Sequence, residues 1–228
     1  PRARAVPLIT TGGLDTVAVR VPAHPVALAL IGEAGCPVAA PSANRSGRPS
    51  PTIAGDVLED LDGRVDLILD GGPTTVGVES TVLDMTIEPP TLLRPGGVTI
   101  EQLEACLGRV RRPDAHDEAR GRSPGLRFRH YSPRARVMVI DAGTGEQAAA
   151  AWLETGRLAG LMAQRPVALE RPGLVVKTMP ADLEGYAHDL FRTLRELDAM
   201  GVEVIFVEAI AEEGLGAAIM DRVRRAAS

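Results

Sequence analysis

Hydrophobic periodicity fails over residues 109–136, and that failure limits the fold more than any other feature of the chain. In these 28 residues Arg, Pro, Gly and Asp replace any apolar repeat. A stretch of that length is a linker or a functional strap, not an ordinary connection. The 228 residues are therefore expected to form two bodies. Residues 1–108 make a first α/β domain, 109–136 a basic linker or lid, and 137–228 a second α/β domain. The strap holds nine Arg against Asp114, Asp117 and Glu118, a local charge of +6 in a chain of net charge −5. A basic strap between two acidic bodies argues against duplex binding by a uniformly positive surface. Aromatic residues are only 3% of the chain, too few for a platform that stacks successive bases.

In the first body Val17, Val19 and Val21 alternate with Ala18 and Arg20, the period of a strand with a buried Val face. Pro25 opens a helix carrying Ala27, Leu28, Leu30, Ile31 and Ala34, with Gly35 as its C-terminal cap. Short strands are expected at 37–40, 65–69, 79–85 and 91–94. Ser50-Pro51 reads as the cap and first turn of a helix whose inner face is Ile53, Val57, Leu58 and Leu61. Thr99 and Gln102 have capping-box spacing ahead of a helix ending near Leu107. The second body shows strands at 137–140, 158–162, 174–178 and 202–207. Its helices run through 148–153, along Leu183, Ala187, Leu190, Leu194 and Leu197, and through 219–223. Strand and helix alternating in this way predict a mainly parallel sheet covered on both faces.

Several constellations could carry chemistry. The loop from Ser42 through Asn44 to Ser46 leaves an expected strand and approaches an expected helix start. Hydroxyls, an amide and unsatisfied backbone N–H groups there would make an anion pocket, or merely a polar surface loop. Thr16, Ala18 and Arg20 share one strand face, fit for a carboxylate or phosphate but equally for solvent. Arg94 stands at a strand end before Pro95-Gly96-Gly97, where ligands collect on open α/β sheets. Arg127, Phe128, Arg129, His130 and Tyr131 could fold over a nucleotide or belong to a solvated linker. Asp66, Asp70, Glu79 and Asp84 could hold a metal, although carboxylates at strand ends more often serve turns. Neither a catalytic triad nor metal-ligand histidine spacing is present. Gly214-Leu215-Gly216 lacks the third glycine of a dinucleotide fingerprint. Cys36 and Cys106 form no disulfide or zinc pattern, which makes a reducing cytoplasm the default. No apolar run approaches the ~20 residues of a membrane span, so no membrane contact is expected. The chain opens at Pro1, in mid-pattern, as a fragment or processed product would.

Five ordered motifs together resemble one family. They are LDTVAVRVP at 14–22, APSANRSGRPSPT at 40–52, GVESTVLD at 77–84, LLRPGG at 92–97 and SPGLRFRHYSP at 123–133. The likeness is to the YrdC-like threonylcarbamoyl-AMP synthases in their long two-domain form, and it continues through FVEAI and GLGAAIMDRVRRAA near the C-terminus. It implies a twisted open α/β sheet domain, N-terminally incomplete, followed by a smaller Rossmann-like α/β domain. The implied reaction is ATP-dependent synthesis of L-threonylcarbamoyl-AMP from L-threonine and bicarbonate, releasing pyrophosphate. Downstream tRNA-modifying transfer proteins would use the product to form N6-threonylcarbamoyladenosine.

By the same resemblance Thr16, Ser42, Ser50, Arg94 and Tyr131 contact ATP, Arg94 and Ser42 being the catalytic pair. Arg20, Ala40 and Ser80 line the threonine pocket, and Asn44 supports the loop. Mg²⁺ would arrive with the nucleotide's phosphates and not on protein ligands. Carbamate attack on an α-phosphate needs alignment and charge neutralisation, so the missing triad is expected. Tyr131 would close the strap over the ligand, and removing 127–131 is expected to spare folding. Relatives carry an upstream tyrosine, a Lys-x-Arg cluster and a Pro-Gly-Pro segment that are not found before Thr16, so an N-terminally truncated synthase with weak ATP binding is expected. A different class remains open: a non-catalytic RNA-binding or regulatory module that keeps the fold, uses the strap on phosphates and contacts tRNA directly.

Overall fold

Apolar alternation becomes a sheet only where the alternating segments find neighbours to pair with. The computed structural model of the chain describes residues 6–112 and 131–228. In chain order its elements are α1 (Pro25–Ala34), α2 (Ala54–Leu61), β1 (Val82–Asp84), β2 (Thr91–Arg94), α3 (Ile100–Leu107) and β3 (Arg136–Ile140). There follow α4 (Gly145–Leu153), β4 (Ala159–Ala163), β5 (Leu174–Thr178), α5 (Leu183–Ala199), β6 (Val204–Glu208) and α6 (Leu215–Ala227). By its contacts the chain divides into two units, Pro1–Ser42 and Ala43–Ser228.

In the first unit α1 begins as expected with Pro25 in its first turn and ends on Gly35, whose left-handed φ of 61° favours a residue without Cβ. None of its residues is buried. The strands expected at 17–21 and 37–40 do not form, and Val19 and Val21 are 83% and 81% exposed. A period of two makes a segment fit for a half-buried sheet but does not supply the neighbouring strand. Among the described residues neither segment pairs in a ladder, so each stays extended.

The second unit holds a four-stranded parallel sheet of order β3-β6-β4-β5. Successive β6 residues serve opposite faces. Val204 and Phe206 pack with Ala149 of α4, while Ile205 and Val207 pack with α5 and α6 through Leu190, Leu194, Leu197 and Ile219. This is the two-sided covering that the alternating pattern predicts. Before the sheet, β1 and β2 pair antiparallel with a register slip between Val82 and Leu83. The strand expected at 79–85 is thus reduced to three residues. The one expected at 65–69 is unpaired, with Leu67 and Leu69 exposed. The capping box of α3 forms as read, with Thr99 and Gln102 each accepting from the other's backbone N–H.

The helix expected to start at Ser50-Pro51 starts instead at Ala54, with Ile53 at the cap position and no side-chain cap. The hydroxyl of Ser50 is taken elsewhere: it donates to Glu79 Oε1 at 2.5 Å. That diversion organises the site.

Candidate functional site

The loop 44–50 is fixed from within and from α2. Asn44 donates its amide hydrogens to the carbonyls of Arg45 and Arg48, at 2.9 and 3.0 Å. Arg45 Nε donates to the Asp60 carbonyl, and Arg48 reaches the carboxylates of Asp60 at 2.8 Å and Glu59 at 3.2 Å. Two features bear on the anion pocket expected at a helix start here. The loop's guanidinium groups already face carboxylates, and the first turn of α2 carries Asp56, which accepts the Thr52 N–H at 3.1 Å. Asp60 is fully buried and also takes Arg195 Nη2 from α5 at 2.7 Å, while the same nitrogen donates to the Pro49 carbonyl. Burial pushes the Asp60 carboxyl up, but the Arg195 hydrogen bond and the charges of Arg195 and Arg48 outweigh it. The carboxyl ends below its ordinary range.

A second buried guanidinium ties the remaining pieces together. Arg222 of α6 is 0% exposed. Its Nε donates to Glu79 Oε2 at 2.6 Å, its Nη2 to the Pro95 carbonyl at 2.9 Å, and its Nη1 meets Asp221. Its Cζ lies 5.6 Å from the centroid of the Tyr131 ring, within cation–π range. Burial works against the Arg222 charge, and Glu79 and Asp221 more than offset it, so the group stays protonated. The backbones it clamps are in close approach. A Cβ on Gly96 would stand 2.3 Å from both the Glu79 carbonyl oxygen and the Thr81 nitrogen, so only glycine lets these strands meet.

On this frame Arg94, partly buried, donates Nε and Nη2 to the Ser80 carbonyl at 3.2 and 2.8 Å. Its remaining donors have no partner among the described residues. Burial, then the neighbouring Arg222 charge, lowers its affinity for the proton, yet a guanidinium remains charged at neutral pH. Ser80 is exposed beside it. Arg94 and Ser80 can thus present positive charge and a hydroxyl to an anionic oxygen. Ser50 is buried with its proton directed to Glu79, so its oxygen can accept a hydrogen bond but not donate a second. Tyr131 is 7% exposed, has a positive φ of 63° and stacks on Phe191 at 5.3 Å between centroids. Burial first, and Glu79 second, raise its phenol above the ordinary value. This corrects the expectation that removing 127–131 spares folding, because Tyr131 is part of the core around α5.

Of the residues singled out in the sequence, Ser50, Ser80, Arg94 and Tyr131 come together in the unit Ala43–Ser228, with Asn44 bracing the adjacent loop. Thr16, Arg20, Ala40 and Ser42 belong to the unit Pro1–Ser42, where Thr16 is partly buried and the other three are exposed. Arg127, Phe128, Arg129 and His130 lie outside the described residues. Asp70 and Asp84 accept backbone N–H groups of their own turns, from Gly72 and Thr86, and Glu79 serves Ser50 and Arg222. Among the described residues no three His, Cys, Asp or Glu stand together as a metal site. Also among them, no helix is long and apolar enough to cross a membrane.

Glu79 as a bridge and Arg222 as an anchor escaped the sequence reading. The available signal was the inward stripe of α6, where Leu215, Ile219, Arg222 and Ala226 follow helical spacing and one member is charged.

Comparison with known proteins covers the whole chain. A family profile described as "Threonylcarbamoyl-AMP synthase, C-terminal domain" matches residues 98–228, and one described as "Telomere recombination" matches residues 1–96. The threonylcarbamoyl-AMP synthase of Pyrococcus abyssi is 43% identical over 238 residues, covering 99% of this chain and 68% of the relative. That of Bacillus subtilis is 43% identical over 223 residues, covering 95% of this chain and 64% of the relative. The chain thus spans about two thirds of the length of these curated relatives. A crystal structure of P. abyssi Sua5 complexed with L-threonine superposes with a TM-score of 0.90 at 42% identity, covering 100% of this chain and 68% of that one.

Proposed function

The chain belongs to the threonylcarbamoyl-AMP synthases, a family of nucleotidyltransferase-type enzymes, and from that premise we propose that it serves the ATP-dependent formation of L-threonylcarbamoyl-AMP from L-threonine and bicarbonate. The amine of threonine attacks bicarbonate carbon to give a carbamate with loss of water. A carbamate oxygen then attacks the α-phosphorus of ATP, the bond to the β-phosphate oxygen breaks, and pyrophosphate leaves. No protein nucleophile is called for. What the protein must supply is alignment and positive charge where charge builds up on the α-phosphate.

The observation that carries this reading is Arg94, anchored through two nitrogens to the Ser80 carbonyl with donors left over among the described residues. In the proposal those donors meet the α-phosphate. Ser50, whose proton is committed to Glu79, accepts from a ribose hydroxyl or the adenine amine. Ser80 faces threonine, and the L-threonine complex of the P. abyssi relative supports threonine as the substrate. Tyr131 completes the nucleotide contacts that this unit supplies. Magnesium enters with the triphosphate as part of the substrate. The product is passed to transfer proteins that modify tRNA.

The test is pyrophosphate release from ATP by the purified chain in bicarbonate, with and without L-threonine. Release that depends on threonine is expected. RNA affinity that falls steeply with salt and ignores ATP, without such release, would overturn the reading in favour of a non-catalytic RNA-binding module.

A further inference from the structure

We propose that Arg222 is a positioning residue for this reaction, through which the last helix of the C-terminal sheet unit sets the geometry of the nucleotide site. The inference rests on the site assignment proposed above and concerns a residue outside it. Arg222 is on α6, yet each of its contacts beyond that helix is with a segment that holds a candidate ligand-binding residue. Glu79 links it to Ser50 and precedes Ser80; Pro95 follows Arg94; the ring over its guanidinium is Tyr131.

The chemistry of the group suits this placement. A planar fork binds two acceptors in fixed relative directions, which an ammonium on a flexible stem does not. Here those acceptors are the Glu79 carboxylate and the Pro95 carbonyl, one on each of the two segments that close on each other at Gly96. Glu79 in turn fixes the direction of the Ser50 hydroxyl. One side chain therefore determines both the separation of Ser80 from Arg94's strand and which lone pairs Ser50 can offer. The Glu79 segment is also held by packing: Val78 lies against the core of α5 and α6, and a Cβ on Gly77 would meet the Ala187 carbonyl oxygen at 2.3 Å. Without the Arg222 fork, partly buried Glu79 keeps Ser50 as its partner among the described residues, and the Pro95 carbonyl loses its donor.

The experiment uses the full chain with Arg222→Gln and Arg222→Lys, and Leu161→Ala as a control. Leu161 is buried on the opposite face of the sheet, against α4, and touches no residue of the site. Two quantities are read below the melting temperature of every variant: amide hydrogen exchange of β1 and β2, and KM and kcat for threonine-dependent pyrophosphate release. In Arg222→Gln, exchange of these amides is expected to rise at least tenfold, with KM for ATP up by a similar factor. Arg222→Lys, which keeps the charge opposite Glu79 but not the second contact, is expected to fall between Gln and wild type. Leu161→Ala should change neither. If exchange in β1 and β2 is unchanged in Arg222→Gln, or rises equally in Leu161→Ala, the positioning role is overturned. Should Arg222→Gln fail to fold, Arg222→Lys against Leu161→Ala decides by the same readouts. A wild-type chain that releases no pyrophosphate removes the proposed reaction, and the exchange comparison still judges Arg222.

Discussion

Replacing Asp60 by Ala is a direct measure of how much a buried charge cluster contributes. Asp60 is fully buried and accepts Arg195 Nη2 at 2.7 Å and Arg48 Nη1 at 2.8 Å. Arg48 keeps Glu59 and partial access to water. Arg195 is more confined: it is 6% exposed, its Nε and Nη1 lack hydrogen-bond partners among the described residues, and its other carboxylate, Asp56, stands 3.9 Å from Nε. Removing the Asp60 carboxylate leaves that guanidinium with the Pro49 carbonyl and a longer ion pair to Asp56 at 3.9 Å. Truncating one partner of a buried ion pair costs about 3–5 kcal/mol. At about 2–4 °C per kcal/mol for a chain of this size, the melting temperature should fall by about 6–20 °C at pH 7. Scanning calorimetry measures it.

The pH dependence carries a sign. Because the folded Asp60 carboxyl titrates below its ordinary value of 3.8, its contribution is present above that value. It is lost as pH falls through the lower, folded one. The gap between wild type and Asp60→Ala should therefore be full at pH 7 and close as the pH drops below about 4. A melting temperature within about 2 °C of wild type at pH 7, or a gap that does not narrow in acid, would refute the reasoning. Replacing both partners, Asp60→Leu with Arg195→Met, should recover most of the loss, since neither charge is then left unpaired.

Arg94→Ala should weaken ATP binding by about 1.5–3 kcal/mol if its contact is charge-assisted; titration calorimetry reads it, and unchanged affinity removes Arg94 from the site. Gly96→Ala places a Cβ against the backbone of Glu79 and Thr81, whereas Gly97→Ala meets only the Val76 side chain at 3.1 Å. The first should cost about 1–3 kcal/mol in urea unfolding together with ATP affinity, and the second much less. Equal effects would mean that the approach at Gly96 is not tight. Tyr131→Ala removes a buried ring stacked on Phe191 and should cost about 3–5 kcal/mol by the same unfolding measurement. A loss below about 1 kcal/mol would show that the ring is not an anchor.

What could be read in the sequence follows the range of the interactions involved. The parallel sheet was legible because each of its strands is apolar over its own few residues and each helix shows its own stripe. The capping box of α3 is complete within Thr99 and Gln102. The N-terminus of α4 was not legible, since its cap comes from afar: Glu208 Oε1 accepts the Gly145 N–H at 2.9 Å across 63 residues. Ser50 failed as a helix cap for the same reason, its partner being Glu79. The segments at 17–21 and 65–69 have the composition of strands, and composition says nothing about whether a partner lies alongside.

The site divides along the same line. Arg94 could be picked out from its place at a strand end, and Ser50 and Ser80 through the motifs that carry the family resemblance. Their mutual placement could not, because it runs through Glu79 to Arg222, 143 residues later. Three arginines crowd the end of α6, and helical spacing alone separates them: Arg222 falls on the buried stripe with Ile219 and Ala226, while Arg224 reaches outward to Glu212 and Arg225 pairs with Asp221 one turn back. A charge on a buried stripe must find a counter-charge, and Arg222 finds two: Asp221 on its own helix and Glu79 far off in the sequence. The stripe therefore shows that partners must be sought for Arg222, while nothing local points to Glu79. Arg195 repeats the logic on α5, where Phe191 and Arg195 share a face and the carboxylate is Asp60. Each helix sends one buried guanidinium out of the C-terminal sheet, and each arrives beside Ser50: Arg195 at the carbonyl of Pro49, Arg222 through Glu79. Two independent anchors on one serine constrain it more than packing does, since apolar contacts tolerate a shift of a few tenths of an ångström and a charge-assisted hydrogen bond at 2.6 Å does not.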